Sequence, residues 1–328
     1  MEDLLNSDEL LPYRVGGLLY APALMEKAAD KIIEKAYPYM NAAALCLEDS
    51  ICDEALEQAE HQLKRTLFRV KQACPAPNDP PLLFVRIRTP EHMNHVHEFL
   101  GAEESILTGY ILPKFDLSNA ERYIRLIESY NQNRSQTLYI MPILESLSLA
   151  DTAQRAANLT ALKALLDTVR PYVLNVRVGG NDFNHLYGLR RSAYQTIYDI
   201  GVIRDILIDI INVFGIDYVV SAAVWEHFGE NPNDAWATGL KREIELDLLN
   251  GFVGKTAIHP SQLPIIFNTL KVNRTDYDDA LNILNWQSKS YGVAKSANGS
   301  RMNEVKCHTK WAKRIKALGD VYGIREEE

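Results

Sequence analysis

None of the four cysteines (Cys46, Cys52, Cys74, Cys307) falls in a C-x-x-C pair. They read as reduced thiols of a cytoplasmic protein rather than as a disulfide framework. In that compartment the sequons at Asn158 and Asn273 carry no meaning. Positive charge is also short: 35 Lys and Arg against 43 Asp and Glu leave a formal net charge of -8. That balance argues against nucleic acid or anionic membrane as the main partner. No apolar run approaches membrane-spanning length; the longest candidate, residues 203–213, contains Arg204, Asp205 and Asp209. Residues 1–11 are acidic and lack the basic start and apolar run of a signal peptide. There is no G-x-x-x-x-G-K-[ST] phosphate loop, and His92, His95 and His97 miss the i, i+4 spacing of a helical zinc site. With 328 residues, 47% hydrophobic and 24% charged, disorder is not indicated and a sizeable core can be buried.

The stretch 173–188, V-L-N-V-R-V-G-G-N-D-F-N-H-L-Y-G, carries the most chemistry. Val173, Leu174, Val176 and Val178 have the apolar, β-branched character of a buried strand. Gly179-Gly180 then breaks it where the backbone is free to take positive φ. Asp182 follows at once, so the strand presents an acid at its carboxyl end, as α/β sites do. The alternative role for Asp182 is to cap the next helix.

Other strands end the same way. Strand candidates lie at 17–20, 42–47, 82–87, 106–112, 137–144, 173–178, 218–224 and from 251, and helical patterns follow them. Residues 53–72, for example, place Leu56, Ala59, Leu63, Leu67 and Val70 on one face. Long helices are expected at 24–37 and 192–214. About eight strand–helix units in roughly 260 residues predict a (β/α)8 barrel; a doubly wound open sheet is the competing fold. The pattern divides the chain into a barrel over 1–274 and a C-terminal helical extension over 275–328. In the extension, helices are expected at 277–291 and 308–322, with a Gly- and Ser-containing joint at 292–300.

In a barrel the strand ends face the site. They carry Glu48 and Asp49, Arg86 and Arg88, Lys114, Glu145, Asp182, Glu226 and His227, and His259. Glu145 and Asp182, from neighbouring strands, suit a shared hard cation, because Mg2+ takes one or two carboxylates and keeps waters. Arg86 has the planar fork for a substrate carboxylate, or else forms a buried ion pair with Glu48 or Asp49. Lys114 reads as an anion contact among acids; those acids argue against a Schiff-base role. His259 reads as fixing the last turn, Trp225 as core.

In this order along the chain, several segments resemble the citrate lyase β-subunit and malyl-CoA lyase group of Mg2+-dependent carbon–carbon lyases. Gly17-Leu-Leu-Tyr-Ala-Pro22 is similar to the group's L-F-x-P turn, Leu47-Glu48-Asp49-Ser50 to L-E-D-A, and Val85-Arg86-Ile87-Arg88 to V-R-V-N. Leu112-Pro113-Lys114 is similar to L-P-K, and the strand end at Glu145-Ser146 to I-E-T. Gly179 to Gly188 follows G-x-x-D-(x)5-G, and residues 251–262 follow G-F-x-G-K-x-x-I-H-P-S-Q, the most specific match. The resemblance implies a barrel whose Glu145 and Asp182 bind Mg2+, with Mn2+ as a substitute. It gives Arg86 a substrate carboxylate, with Arg88 and Lys114 beside it, and sets Glu48 and Asp49 to orient metal waters. The carbon–carbon bond would be made or broken beside the carbonyl of an oxo acid or a coenzyme A thioester, through a metal-stabilised enolate. A homo-oligomer, trimer or hexamer, is implied as well.

The departures point to a divergent branch, similar to members that accompany tellurium-resistance clusters. Where the group has L-D-G-x-M-I-D, this chain reads Ala297-Asn298-Gly299-Ser300-Arg301-Met302-Asn303-Glu304. Asn298 replaces the first acid, and the last falls on Asn303 or Glu304. Arg88 stands for Asn, and Arg190-Arg191 follow the Asp182 motif. Two other functions therefore stay open: a catalytically altered barrel serving as a binding or scaffold subunit, and an enzyme for a phosphorylated ligand held by Arg88, Arg190 and Arg191.

Overall fold

Eight parallel strands carry the larger part of the chain: β1 (Gly17–Pro22), β2 (Ala42–Cys46), β3 (Leu82–Arg86), β4 (Gly109–Leu112), β5 (Tyr139–Leu144), β6 (Val176–Val178), β7 (Val220–Ser221) and β8 (Lys255–Ala257). They come from a computed structural model that describes residues 7–74, 80–288, 290–296 and 299–325. The hydrogen-bonded order is β7-β6-β5-β4-β3-β2-β1-β8. The two ends of that series meet in a parallel bridge between Ala222 and Lys255. Val253 N–H donates to Val220 O at 2.8 Å, and Ala222 N–H to Gly254 O at 3.1 Å. Gly254 has φ +87°, and a Cβ there would lie 2.7 Å from the Gly16 carbonyl, so the closure needs glycine. The sheet is a closed (β/α)8 barrel; a doubly wound sheet would leave β7 and β8 as open edges.

Period-two alternation sorts the strand residues. Leu45, Val85, Leu144 and Val176 join one apolar cluster with the surrounding helices. Their chain neighbours Cys46, Arg86, Ile143 and Arg177 line a cavity. The helix Leu56–Ala73 buries Ala59, Leu63, Leu67 and Val70 on its expected stripe, each Leu contributing about 1.5–3 kcal/mol. Helix starts follow local chemistry. Thr89 accepts from His92 N–H at 3.1 Å to open Pro90–Leu100. Asp151 accepts from Ala153 N–H at 2.9 Å to open Thr152–Thr168.

The strands expected at 106–112 and 218–224 are Gly109–Leu112 and Val220–Ser221, the helix expected at 277–291 is Arg274–Leu284, and four further elements differ from the sequence expectation. The helix expected at 24–37 shrinks to Ala28–Ile33, because Lys35 and Tyr39 take φ of 49° and 64°. The helix expected at 192–214 splits: Thr196 and Asp199 form a reciprocal cap on the turn Ile197–Asp199, and Gly201–Phe214 follows. Val173 makes only an isolated bridge with Ile140, so β6 starts three residues later. The fourth lies in the C-terminal segment. There the joint expected at 292–300 is part of an antiparallel hairpin, Val293–Lys295 with Met302–Glu304.

The barrel unit is Val15–Ile266, and a second unit comprises Met1–Arg14 with Phe267–Glu328. In the second unit the helices Arg274–Leu284 and Val305–Tyr322 pack through Ala280, Ile283 and Ala312. Asn303 is buried and donates to Asp279 Oδ1 at 2.9 Å. Glu304 stands at the start of the last helix, its N–H donating to His308 Nδ1 at 2.9 Å. Ala297 and Asn298 lie outside the described residues. Among the described residues none of the four cysteines is joined in a disulfide, and no helix is long and apolar enough to cross a membrane.

Candidate active site

The carboxyl ends of β1, β2, β3, β5, β6 and β8 enclose a cavity of about 380 Å3, lined among others by Tyr20, Asp49, Arg86, Glu145, Arg177, Asp182 and Thr256. Glu145 is 4% exposed. Its Oε1 accepts Lys114 N–H at 2.9 Å and lies 3.6 Å from Arg86 Nη2. Holding that N–H in place requires Lys114 to sit at φ +49°, a conformation costing a side-chain-bearing residue about 1–2 kcal/mol. Asp182 lies in the first turn of the helix Gly180–Leu186 and caps nothing with its side chain.

Glycine shapes this corner by size. Gly179 has φ -96°, so the positive φ expected of the Gly pair is not used there, nor by Gly180 inside the helix. A Cβ on Gly179 would lie 2.1 Å from Glu145 Oε2, and one on Gly180 would lie 2.8 Å from Ala223 Cβ. The pair exists to let the β6 turn close on β5. Gly188, at φ +63°, takes the left-handed conformation after the helix.

The acids form a ladder with two cations. Arg86 Nη2 meets Glu48 Oε2 at 2.7 Å and Asp49 Oδ2 at 3.0 Å. Lys114 Nζ meets Glu48 Oε1 at 2.6 Å and Asp49 Oδ1 at 3.4 Å. Burial alone would ease the Lys114 proton off, but the hydrogen bond to Glu48 and the charges of Glu48, Asp49 and Asp182 outweigh it and hold the ammonium charged. A charged ammonium is no Schiff-base nucleophile. Glu145 behaves oppositely: burial, then the charge of Asp182, push its carboxyl up to about 8 against the pull of Arg86.

Two adjoining carboxylates at a cavity wall, one buried and strained by the other's charge, make a donor set suited to a hard divalent cation. Among the described residues no three His, Cys, Asp or Glu side chains enclose a metal by themselves.

The family description C-C bond lyase of the TIM-barrel fold matches residues 9–324. The chain belongs to this family. It is a carbon–carbon lyase, its reaction unspecified. A citrate lyase of Burkholderia xenovorans has the same fold, with TM-score 0.67 and 15% identity over 100% of this chain and 96% of that one. CitE of Mycobacterium tuberculosis, in complex with magnesium, acetoacetate and coenzyme A, aligns with TM-score 0.60 and 18% identity over 93% of this chain and 99% of that one. The citrate lyase β subunit of the same organism, complexed with oxaloacetate and magnesium, gives TM-score 0.51 and 19% identity over 78% and 98%. No curated protein matches the sequence.

In this lyase the segment 251–262 is architectural. Lys255 turns outward and is 1% exposed, its Nζ 2.6 Å from Glu243 Oε1 and 2.8 Å from Asp247 Oδ2 on the helix Ala235–Leu249. Gln262 Nε2 donates to Trp225 O at 3.0 Å and His227 O at 2.9 Å, while its Oε1 accepts from Ile258 N–H at 2.8 Å. That amide ties the end of β7 to the end of β8. His259 Nδ1 is 2.8 Å from Ser261 Oγ and shapes the same turn. Trp225 is fully buried and donates to Trp236 O at 3.0 Å.

The arginines divide sharply. Arg88 is engaged by Leu47 O at 2.7 Å, Ile51 O at 2.6 Å and the Asp53 carboxylate. Arg191 is buried against the Trp225 ring, with Glu243 at 3.3 Å and Val224 O. The Arg190 side chain is 80% exposed, 3.7 Å from Glu226. None of the three lines the cavity, which leaves a phosphorylated ligand there without these arginines. His92 and His95 share Glu60 at 2.9 and 3.1 Å. Cavity residues that the sequence reading did not assign to the site include Arg177, Tyr20 and Thr256. Arg177 was the findable one: a charge in the middle of V-R-V must face opposite to its valines.

Proposed function

We propose that this chain is a Mg2+-dependent lyase or aldolase that makes or breaks a carbon–carbon bond beside the carbonyl of an anionic oxo acid, free or as a coenzyme A thioester. The observation that carries the reading is the placement of two acids from neighbouring strand ends, Glu145, 4% exposed, and Asp182, on the wall of one cavity. A hard divalent cation would relieve the repulsion between the two acids, and Glu145 and Asp182 would hold it. When bound, Mg2+ supplies a Lewis acid beside the reacting carbonyl.

The protein's own side chains do the rest. Arg86 lines the cavity, and its buried Nε has no hydrogen-bond partner among the described residues. That N–H is available to a substrate carboxylate while Nη2 stays fixed on Glu48 and Asp49. Glu48 and Asp49 thereby orient Arg86 and the Lys114 ammonium, and Lys114 adds a cation at the rim. The apolar wall of Ile143, Val178 and Val224 limits water in the cavity. A homo-oligomer in solution belongs to the same reading.

The test is calorimetric titration of the purified chain with Mg2+, in parallel with Glu145→Gln, Asp182→Asn and the double variant. Wild type binds, each single variant binds at least 10-fold more weakly, and the double variant does not bind. Equal Mg2+ binding by wild type and the double variant would reject the reading. Turnover of oxo-acid adducts with Mg2+ by the purified chain then separates a lyase from a scaffold subunit.

A further inference from the structure

Four arginines are buried among the described residues: Arg86, Arg155, Arg177 and Arg191. Three face a carboxylate: Arg86 meets Glu48 at 2.7 Å, Arg155 meets Asp209 at 2.8 Å and Arg191 meets Glu243 at 3.3 Å. Arg177, 1% exposed, is paired with no carboxylate among the described residues. Its Nη2 donates to Thr256 Oγ1 at 2.7 Å, the Tyr20 hydroxyl is a further hydrogen-bonding neighbour, and its buried Nη1 has no hydrogen-bond partner among the described residues. Tyr20, Thr256 and Arg177 all line the cavity.

A buried guanidinium among neutral groups works against stability, because desolvation is not repaid by a counterion. Burial pulls its pKa below the ordinary arginine value, and the like charge of Arg86 adds to that. A missing anion resolves the imbalance. Arg177 pairs in register with Ile143, two residues before Glu145 on β5. Its backbone therefore lies about two residues, about 6–7 Å, below Glu145 along the strands. A compact ligand whose head group meets the acids at the strand ends would place its tail toward this deeper end of the cavity.

We propose that Arg177 is the specificity-determining residue of the cavity: it takes the second carboxylate of a compact oxo dicarboxylic acid whose oxo-acid end lies at Glu145, Asp182 and Arg86. The inference rests on the function proposed above and narrows its substrate class. Thr256 and Tyr20 aim the guanidinium without neutralising it. A monoanionic oxo acid leaves Nη1 unpaired, so the cavity selects the dianion.

The test uses the full chain loaded with Mg2+, titrated calorimetrically with two chain-matched pairs. These are 2-oxoglutarate against 2-oxopentanoate, and oxaloacetate against 2-oxobutyrate. In wild type at least one dianion binds 10-fold or more tightly than its monoanionic match. Arg177→Met reduces that ratio to about 2 or less while monoanion affinity stays within about 3-fold, and its Tm equals or exceeds that of wild type. Arg177→Lys keeps part of the preference, since the charge remains but the fork is lost. Equal binding of matched dianion and monoanion by wild type overturns the inference and leaves the metal and oxo-acid reading intact. So does a preference that survives Arg177→Met, or a loss of both ligands together in that variant. If Mg2+-loaded wild type binds none of the four acids, the proposed function fails first and this inference with it.

Discussion

Lys255 offers the sharpest test of the division between scaffold and site. It lies inside the most specific signature of the chain, so a reader of sequence alone would mutate it as a catalytic lysine. The structure turns its side chain outward, away from the cavity, where one ammonium serves two buried carboxylates at 2.6 and 2.8 Å. Glu243 and Asp247 are 0% and 2% exposed. Ile197 N–H reaches Glu243 at 2.7 Å and the Tyr198 hydroxyl reaches Asp247 at 2.8 Å. Lys255→Met keeps the length of the stem but leaves both carboxylates without their shared counterion. Breaking a buried ion pair from one side costs about 3–5 kcal/mol, against a total stability of about 5–15 kcal/mol for a domain. Urea unfolding followed by far-UV circular dichroism should show that loss as a lower midpoint at unchanged slope. The double variant Lys255→Met, Asp247→Asn should recover part of it, because Glu243 keeps Arg191 as its counterion and Asp247 no longer carries a charge. Mg2+ affinity of the folded single variant should stay within about 3-fold of wild type. A destabilisation below about 1 kcal/mol, or loss of Mg2+ binding without loss of stability, would refute the assignment of Lys255 to the scaffold.

Two glycines of the Asp182 motif should respond differently to alanine. Gly179→Ala places a methyl group on Glu145 Oε2, so Mg2+ affinity measured by calorimetry should fall at least 10-fold although φ is unstrained. Gly188→Ala meets nothing within 4 Å but sits at φ +63°. It should cost about 1–2 kcal/mol in urea unfolding and leave Mg2+ affinity unchanged; a metal defect there would contradict the size argument. Gln262→Leu removes one fully buried amide that satisfies two carbonyls and two N–H groups. Each buried group left unpaired costs about 1–3 kcal/mol, so a Tm within 1 °C of wild type would show that the β7–β8 closure does not depend on it.

The barrel was legible because strand and helix patterns alternate at a regular spacing, and because acids and cations recur just past the strand ends. Glu48, Asp49, Arg86, Glu145 and Asp182 could be collected from those ends without coordinates, since a barrel brings every strand terminus to one face. Element boundaries were less legible where a local device overrides periodicity. The Thr196–Asp199 cap cuts a helix that the apolar pattern would continue, and Lys35 and Tyr39 end another by adopting left-handed φ. The hairpin at 293–304 hid behind Gly and Ser because its outer strand is exposed and has no apolar alternation to betray it.

By itself the sequence determined the repeat, the closed sheet it implies and the set of charges at the strand ends, because periodicity and turn residues are local properties. Only the tertiary structure decided which charges meet. It engaged Arg88 with Leu47, Ile51 and Asp53, and turned Lys255 and Arg191 away from the cavity. It drew Glu145 to the β6 turn through the missing side chain of Gly179. It also left Arg177 buried without a counterion, since burial and partnership are set by strands far apart in the chain.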